Sequence, residues 1–81
     1  MVLSFNVTIM ESFEIIVNQE KYKIVRFTAF ETVFSVFNYA TCHIIKKNET
    51  GKWIAVEHRF GKEHIPLNEI GQVIDSRFQL A

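Results

Sequence analysis

Apolar and polar residues alternate along most of the N-terminal two thirds of this 81-residue chain, which is the pattern of half-buried β-strands. The alternation predicts strands at residues 3–9, 13–17, 22–28 and 33–37, followed by a β-hairpin of residues 40–59. No glycine, proline or asparagine separates the first two segments, so they form either two strands or one long bulged strand. Five or six strands are therefore expected.

Helical spacing replaces this alternation after Pro66, a residue that suits the first turn of a helix. We predict a helix over residues 66–78. Its apolar stripe consists of Leu67, Ile70, Gly71, Ile74 and Phe78. A glycine inside a helix costs about 1 kcal/mol relative to alanine. Its place on the buried stripe therefore predicts a close approach of the helix to the sheet.

The hairpin of residues 40–59 turns at Asn48-Glu49-Thr50-Gly51, where Gly51 supplies the positive φ of a bulged type I turn. A four-residue loop sets the pairs Lys47/Lys52, Ile45/Ile54, His43/Val56, Thr41/His58, Ile44/Ala55 and Cys42/Glu57. In this register His43 and His58 share a face as diagonal neighbours about 7 Å apart. Two other turns are predicted, with Gln19-Glu20 at the tip of one and a loop wider than two residues at Asn38-Tyr39.

Connections of hairpin length predict an antiparallel β-meander with one C-terminal helix packed on a face. This is an α+β fold, and 81 residues make a single domain. The opposite face must be covered by sheet curvature, by the N-terminal segment or by a second copy. Its apolar side chains are expected from Phe34, Val36, Ile45, Ile54 and Val56, although periodicity alone does not say which set faces the helix.

Three stretches, F-E-I-I-V-N-Q-E-K-Y-K-I, K-N-E-T-G-K-W and I-P-L-N-E-I-G-Q-V-I, carry a likeness to other sequences. Across residues 12–76 the chain resembles small bacterial domains of unknown function that combine an antiparallel sheet with a C-terminal helix. The shared features are a turn, a tryptophan and a helix stripe, so the resemblance implies the architecture and no activity or site.

Nine basic and nine acidic residues cancel, which removes the long-range field that draws proteins to nucleic acids. The basic side chains that cluster around the hairpin, Lys46, Lys47, Lys52, Arg59 and Lys62, are interspersed with glutamates, so nucleic-acid binding is disfavoured. A single cysteine suits a reducing compartment, and no segment reads as a signal peptide or a membrane span. A cytoplasmic location without membrane association is therefore expected.

Three histidines and one cysteine are the candidates for chemistry. His43 and His58, joined by His64 or a carboxylate, are weak candidates for Zn²⁺ or Cu²⁺, but they lack a recognised ligand spacing. Cys42 faces away from His43 and is expected to be buried and inert. The sequence therefore indicates no catalytic residue, no metal and no cofactor.

Eight phenylalanines, two tyrosines and one tryptophan provide more aromatic surface than one helix can shield. We therefore expect a non-catalytic protein-interaction or self-association module, acting as a homodimer or with another protein. The interface candidates are Phe34, Val36, Ile45, Trp53 and Ile54, with a core position favoured for Trp53. The alternative is a domain that encloses a small apolar ligand between the phenylalanine-rich face and the helix.

Overall fold

The computed structural model describes residues 11–28 and 31–78 of the chain, and the predicted strand at residues 3–9 lies outside them. The described elements are β1 (Glu11–Val17), β2 (Glu20–Thr28), β3 (Thr32–Asn38), β4 (Thr41–Lys47), β5 (Trp53–Gly61) and α1 (Leu67–Phe78). The strands form one antiparallel sheet in the order β1-β2-β3-β4-β5. The predicted α+β meander with a C-terminal helix is thus confirmed.

The β1–β2 hairpin turns through Asn18 and Gln19, both of which have positive φ, 53° and 68°. Two positive φ values in a two-residue loop define a type I′ turn, whose twist matches that of the flanking strands. Val17 therefore pairs with Glu20, and the predicted tip at Gln19-Glu20 is wrong by one residue. The observed register differs from the predicted one by an even number of residues, so each side chain stays on its predicted face of the sheet.

Replacing Gln19 with glycine should stabilise the protein, because glycine adopts positive φ without the steric penalty of a Cβ atom. We expect Gln19→Gly to raise the midpoint of thermal unfolding by about 2–5 °C. The side chain of Gln19 is exposed, so its removal opens no cavity. In contrast, Lys23→Gly in β2 should lower the midpoint, and a lower midpoint for Gln19→Gly would contradict the turn assignment.

The β3–β4 hairpin turns through only two residues, Tyr39 and Ala40, so the predicted wider loop is wrong. The side chain of Asn38 organises this turn. Its Oδ1 accepts hydrogen bonds from the backbone N–H groups of Ala40 (2.8 Å) and Thr41 (3.1 Å), while its Nδ2 donates to the carbonyl of Lys21 (3.0 Å). One amide therefore satisfies the backbone of its own turn and links that turn to β2.

The β4–β5 turn has the predicted Gly51 at a φ of 83°. However, Asn48 pairs with Lys52 through a 2.8 Å backbone hydrogen bond, so the loop has three residues and the predicted Lys47/Lys52 pairing is wrong. Further along β5, Val56 and Arg59 have no residue opposite them on β4 and form two β-bulges. The shorter loop and then each bulge shift the register by one residue from the predicted one. The resulting pairs are Ile45/Ala55, Ile44/Glu57, His43/His58 and Cys42/Phe60.

The helix α1 packs on one face of the sheet with the predicted stripe inward. Ile70, Gly71 and Ile74 are buried, and Leu67 and Phe78 pack against the same core. A Cβ atom built on Gly71 would overlap the indole ring of Trp53, which confirms the predicted close approach. The core under the helix comprises Ile15, Val17, Tyr22, Ile24, Phe34, Val36, Ile45 and Trp53.

Polar contacts also fix α1 against the β4–β5 hairpin. Asp75 accepts a hydrogen bond from Trp53 Nε1 at 3.3 Å and pairs with Lys47 Nζ at 2.8 Å. At the end of the helix, the ring of Phe78 lies edge-on to Phe13 with 5.6 Å between ring centroids. The helix is therefore held at the two outer strands of the sheet, and within residues 11–28 and 31–78 no helix covers the other face.

Candidate functional site

The sheet face opposite α1, called the open face below, carries a group of apolar side chains. Cross-strand partners share a face of the sheet, so the pairing traces this set from strand to strand. Its apolar members are Ile16, Val25, Phe27, Val33, Phe37, Ile44, Ile54 and Phe60. Among these, Ile16 is 68% exposed, Phe60 50% and Phe27 39%. Large hydrophobic side chains grouped on one face are typical of a protein-binding surface.

Small polar groups lie in the middle of the open face, and charged groups lie nearer its edges. Ser35 and Cys42 are only 9% and 8% exposed, and their side-chain oxygen and sulfur atoms are 4.0 Å apart. The charged residues on this face are Glu14, Lys21, Lys23, Lys46 and Glu57. An apolar centre with a rim of both charge signs is the usual anatomy of a protein interface.

The predicted interface candidates divide between the two faces. Phe34, Val36, Ile45 and Trp53 lie on the helix side, where they are between 0% and 8% exposed. Phe34, Val36 and Ile45 were predicted on the face opposite the helix, and this placement is wrong. Trp53 takes the core position that the sequence favoured. Ile54 is the candidate that lies half-buried on the open face, opposite Lys46.

Several open-face residues were missed as site residues, and β1 holds the signal that could have found them. Phe13, Ile15 and Val17 occupy one side of β1, whereas Glu14 lies on the other. The uniformly apolar side of this strand must face the core. When this choice is carried through the strand pairing, Val25 and Phe37 fall on the open face.

His43 and His58 lie directly opposite each other, rather than diagonally as predicted. Their rings stack with 4.6 Å between centroids and 14° between planes. Nε2 of His43 lies 2.9 Å from the carbonyl oxygen of Lys62, and Nε2 of His58 lies 3.0 Å from that of Gly61. A carbonyl oxygen only accepts, so each Nε2 carries a proton and donates it to the backbone. The pair thus closes the end of the β4–β5 ladder.

The same carbonyl of Lys62 also accepts a 2.8 Å hydrogen bond from the hydroxyl of Thr41. His64 is exposed and has no contact with the stacked pair among the described interactions. In the described ranges, 11–28 and 31–78, no group of three or more potential metal ligands comes together. His43 and His58 therefore serve as hydrogen-bond donors to the carbonyls of Lys62 and Gly61 at the end of β5.

Cys42 is buried and reduced, with Phe60 as its cross-strand partner in place of the predicted Glu57. It lies on the open face and His43 on the other, as strand alternation requires. The thiol contacts the Ser35 hydroxyl, which is a weak donor or acceptor rather than a base. This neighbourhood provides no activating group for a nucleophile.

The basic residues around the hairpin are largely paired with carboxylates. Lys46 lies 3.0 Å from Glu31, Lys47 2.8 Å from Asp75, and the Arg59 guanidinium 3.1 Å from Glu57. Exposed pairs such as Arg59–Glu57 contribute little to stability, whereas Lys47–Asp75 is partly buried between α1 and β4. These pairs intersperse negative charge among the cations, which breaks up a continuous basic stripe.

Tyr22 is a titratable residue whose side chain belongs to the core. Burial of its phenol raises the pKa, and the nearby carboxylate of Glu20 raises it further. Both causes disfavour the phenolate, so the hydroxyl stays protonated over the physiological pH range. Tyr22 therefore behaves as a core residue rather than as an acid or base.

No helix within the described ranges combines the length and the apolar character of a membrane span. Comparison with family models, with curated proteins and with solved structures found no match to this chain. The surface of the molecule, and above all the open face, is therefore the guide to its function.

Proposed function

We propose that this protein is a non-catalytic interaction module that self-associates through the open face. The observation that carries the proposal is that Ile16, Phe27 and Phe60, all large and all substantially exposed, lie on the sheet face opposite α1, spread over β1, β2 and β5. Burial of a side chain of this size in an interface is worth about 1.5–3 kcal/mol. A second copy is a natural partner because most soluble oligomers are symmetric homo-oligomers.

The charge distribution supports a two-fold contact between identical faces. Glu14 and Lys23 are cross-strand partners near one edge, whereas Lys46 and Glu57 lie on the two strands at the other. In a two-fold interface each residue meets a residue of the same surface in the partner. Because both signs are present on the rim, opposite charges of the two copies can be brought together.

The proposal predicts that a single charge on the open face disrupts association. Light scattering after size exclusion, over a range of protein concentrations, should show a dimer for the unaltered chain. Phe60→Lys or Phe27→Lys should weaken that dimer at least about tenfold, because each places an ammonium group in an apolar contact. Both side chains lie away from the helix-side core, so the thermal unfolding of the monomer should change little.

A matched control is Gln72→Lys, which adds the same charge at an exposed position of α1. This variant should dimerise as the unaltered chain does. A monomer at all concentrations for the unaltered chain would overturn the proposal, as would equal effects of Gln72→Lys and Phe60→Lys. Phe34 is unsuitable for this test because it is 2% exposed in the core, where a charge would unfold the chain.

The alternative of an apolar ligand between helix and sheet has weaker support. The side chains there pack directly on one another, with 5.4 Å between the ring centroids of Phe34 and Trp53 and 5.9 Å between those of Phe34 and Phe78. Ile24, Val36 and Ile45 are completely buried beside them. The close packing of these described residues favours a filled core over a binding chamber.

A further inference from the structure

The two outer strands of the sheet differ in how far they resist the addition of another strand. β5 contains the bulges at Val56 and Arg59, and the intervening Glu57 pairs with Arg59 at 3.1 Å. Bulges and charged side chains are devices that protect an edge strand from pairing. The β5 edge is therefore poorly suited to accept a further strand.

The edge formed by β1 carries the charged side chains of Glu11 and Glu14, but its pairing with β2 contains no bulge. All seven residues of β1 pair with β2 without a register shift, and the strand contains no proline. A two-residue turn makes Val17 and Glu20 a hydrogen-bonded pair, so the backbone groups of Ser12, Glu14 and Ile16 point away from β2. In the part of the chain that the structure describes, no strand pairs with this outer edge.

We propose that the outer edge of β1 binds an extended segment of another protein by β-strand addition, with a lysine or arginine of that segment beside Glu14. The backbone groups at positions 12, 14 and 16 supply the hydrogen bonds, as in other cases of strand addition. This site uses the backbone edge of β1, whereas the self-association proposed above uses the apolar side chains of the open face; the two surfaces share Glu14 at their border.

The side chains of β1 define the chemistry of the segment. Glu14 is 59% exposed, pairs across the sheet with Lys23 and lies 3.8 Å from Lys21 Nζ. A strand on the other side of β1 places its own residue next to this carboxylate, and a cation is favoured there. On the helix side, Ile15 and Val17 belong to the core, so the alternate residues of the segment should be apolar.

A second copy of β1 fits this edge poorly. Full antiparallel pairing of two β1 strands sets Glu14 opposite the same glutamate of the second copy, and like charges directly opposite are destabilising. A shift by two residues places Glu14 opposite Ile16 and desolvates the carboxylate without a cation. A basic and apolar segment of different sequence avoids both penalties.

The test uses the full chain and two fluorescently labelled synthetic peptides. One alternates lysine with valine, and the other alternates glutamate with valine. Fluorescence anisotropy should show saturable binding of the lysine peptide, at least about tenfold tighter than that of the glutamate peptide. Absence of binding, or equal binding of the two peptides, would overturn the proposal.

Two variants of Glu14 distinguish the contribution of the backbone hydrogen bonds to peptide binding from that of the carboxylate charge. Glu14→Pro removes an outward N–H, and an edge strand tolerates proline where its N–H faces solvent, so this variant should fold and lose binding. Glu14→Lys keeps the backbone intact and should reverse the preference between the two peptides. Glu57→Lys makes the same charge change on β5 and should leave that preference unchanged.

The remaining outcomes also decide the question. Phe60→Lys should still bind the lysine peptide, which distinguishes this site from the open face. Lysine-peptide binding that persists in Glu14→Lys would overturn the proposal even if the proline variant did not fold. Concentration-dependent self-association that is abolished by Glu14→Pro but retained in Phe60→Lys would assign the edge to a second copy and would likewise overturn it.

Discussion

Replacement of Gly71 by leucine should lower the stability of the protein by about 3 kcal/mol and the midpoint of thermal unfolding by at least about 10 °C. A Cβ atom at this position already overlaps Cδ1 of Trp53, and the next ring atoms lie at 2.6 Å. The indole cannot easily move away, because Nε1 donates to Asp75 and the ring packs on Phe34. Leucine would therefore push α1 off the sheet.

Gly71→Ala tests whether a Cβ atom at this position raises or lowers the stability of the protein. On helix propensity alone it should stabilise the protein by about 1 kcal/mol, whereas the overlap with Trp53 predicts a net loss. If Trp53→Leu is combined with Gly71→Ala, the smaller side chain should relieve the overlap, and the two effects should be strongly non-additive. Stabilisation by Gly71→Ala in the unaltered background would refute the close approach of helix and sheet.

Replacement of Gly61 by alanine should also be severe, at about 3 kcal/mol or more, measured by urea denaturation. Gly61 has a φ of 83°, and its Cβ would overlap the carbonyl oxygen of Ala40 and lie 2.6 Å from Cα of Thr41. Both obstacles are backbone atoms, so no side-chain rotation can relieve the contact. The β4–β5 ladder would have to open where the Lys62 N–H donates to the Ala40 carbonyl.

Gly51→Ala is the matched control for this substitution. Gly51 has the same φ of 83°, but nothing lies within 4 Å of the position that a Cβ atom would take there. Alanine at this turn should cost only the conformational penalty of about 1 kcal/mol. The difference between the two variants therefore isolates the backbone overlap, and equal losses would show that the close packing around Gly61 carries no cost.

Local patterns predicted the elements of this fold well. Alternation located β1, β2 and β3, and helical spacing located α1 to within one residue of Leu67–Phe78. These signals are short-ranged, because each depends on residues a few positions apart in one element. Gly71 was also informative, since an unfavourable residue on a buried stripe requires a packing reason.

Register was harder to predict, because it accumulates small errors along the chain. The turn at Gly51 was identified, yet its length was overestimated by one residue, and neither Val56 nor Arg59 has a sequence signature of a bulge. Each such residue moves everything beyond it to the other face of the sheet. This is why His43 was paired with Val56 rather than with His58.

The site was predicted only in outline. The surplus of aromatic residues led to the prediction of a face that one helix does not shield, but the members of that face depend on which side of the sheet the helix takes. Phe34 and Phe37 have similar sequence surroundings, and only the tertiary packing places the first in the core and the second on the open face. The predicted meander places its first strand at an edge, but the sequence left open whether residues 3–9 form a strand separate from β1.

The unequal edges of the sheet also limit how the protein can polymerise. Fibrous growth by strand addition requires that every newly added unit present a fresh edge to the next one. Here the bulges at Val56 and Arg59 make the β5 edge a poor template, so a second copy cannot readily dock its β5 edge on the β1 edge of the first. Head-to-tail growth through these unlike edges is therefore disfavoured.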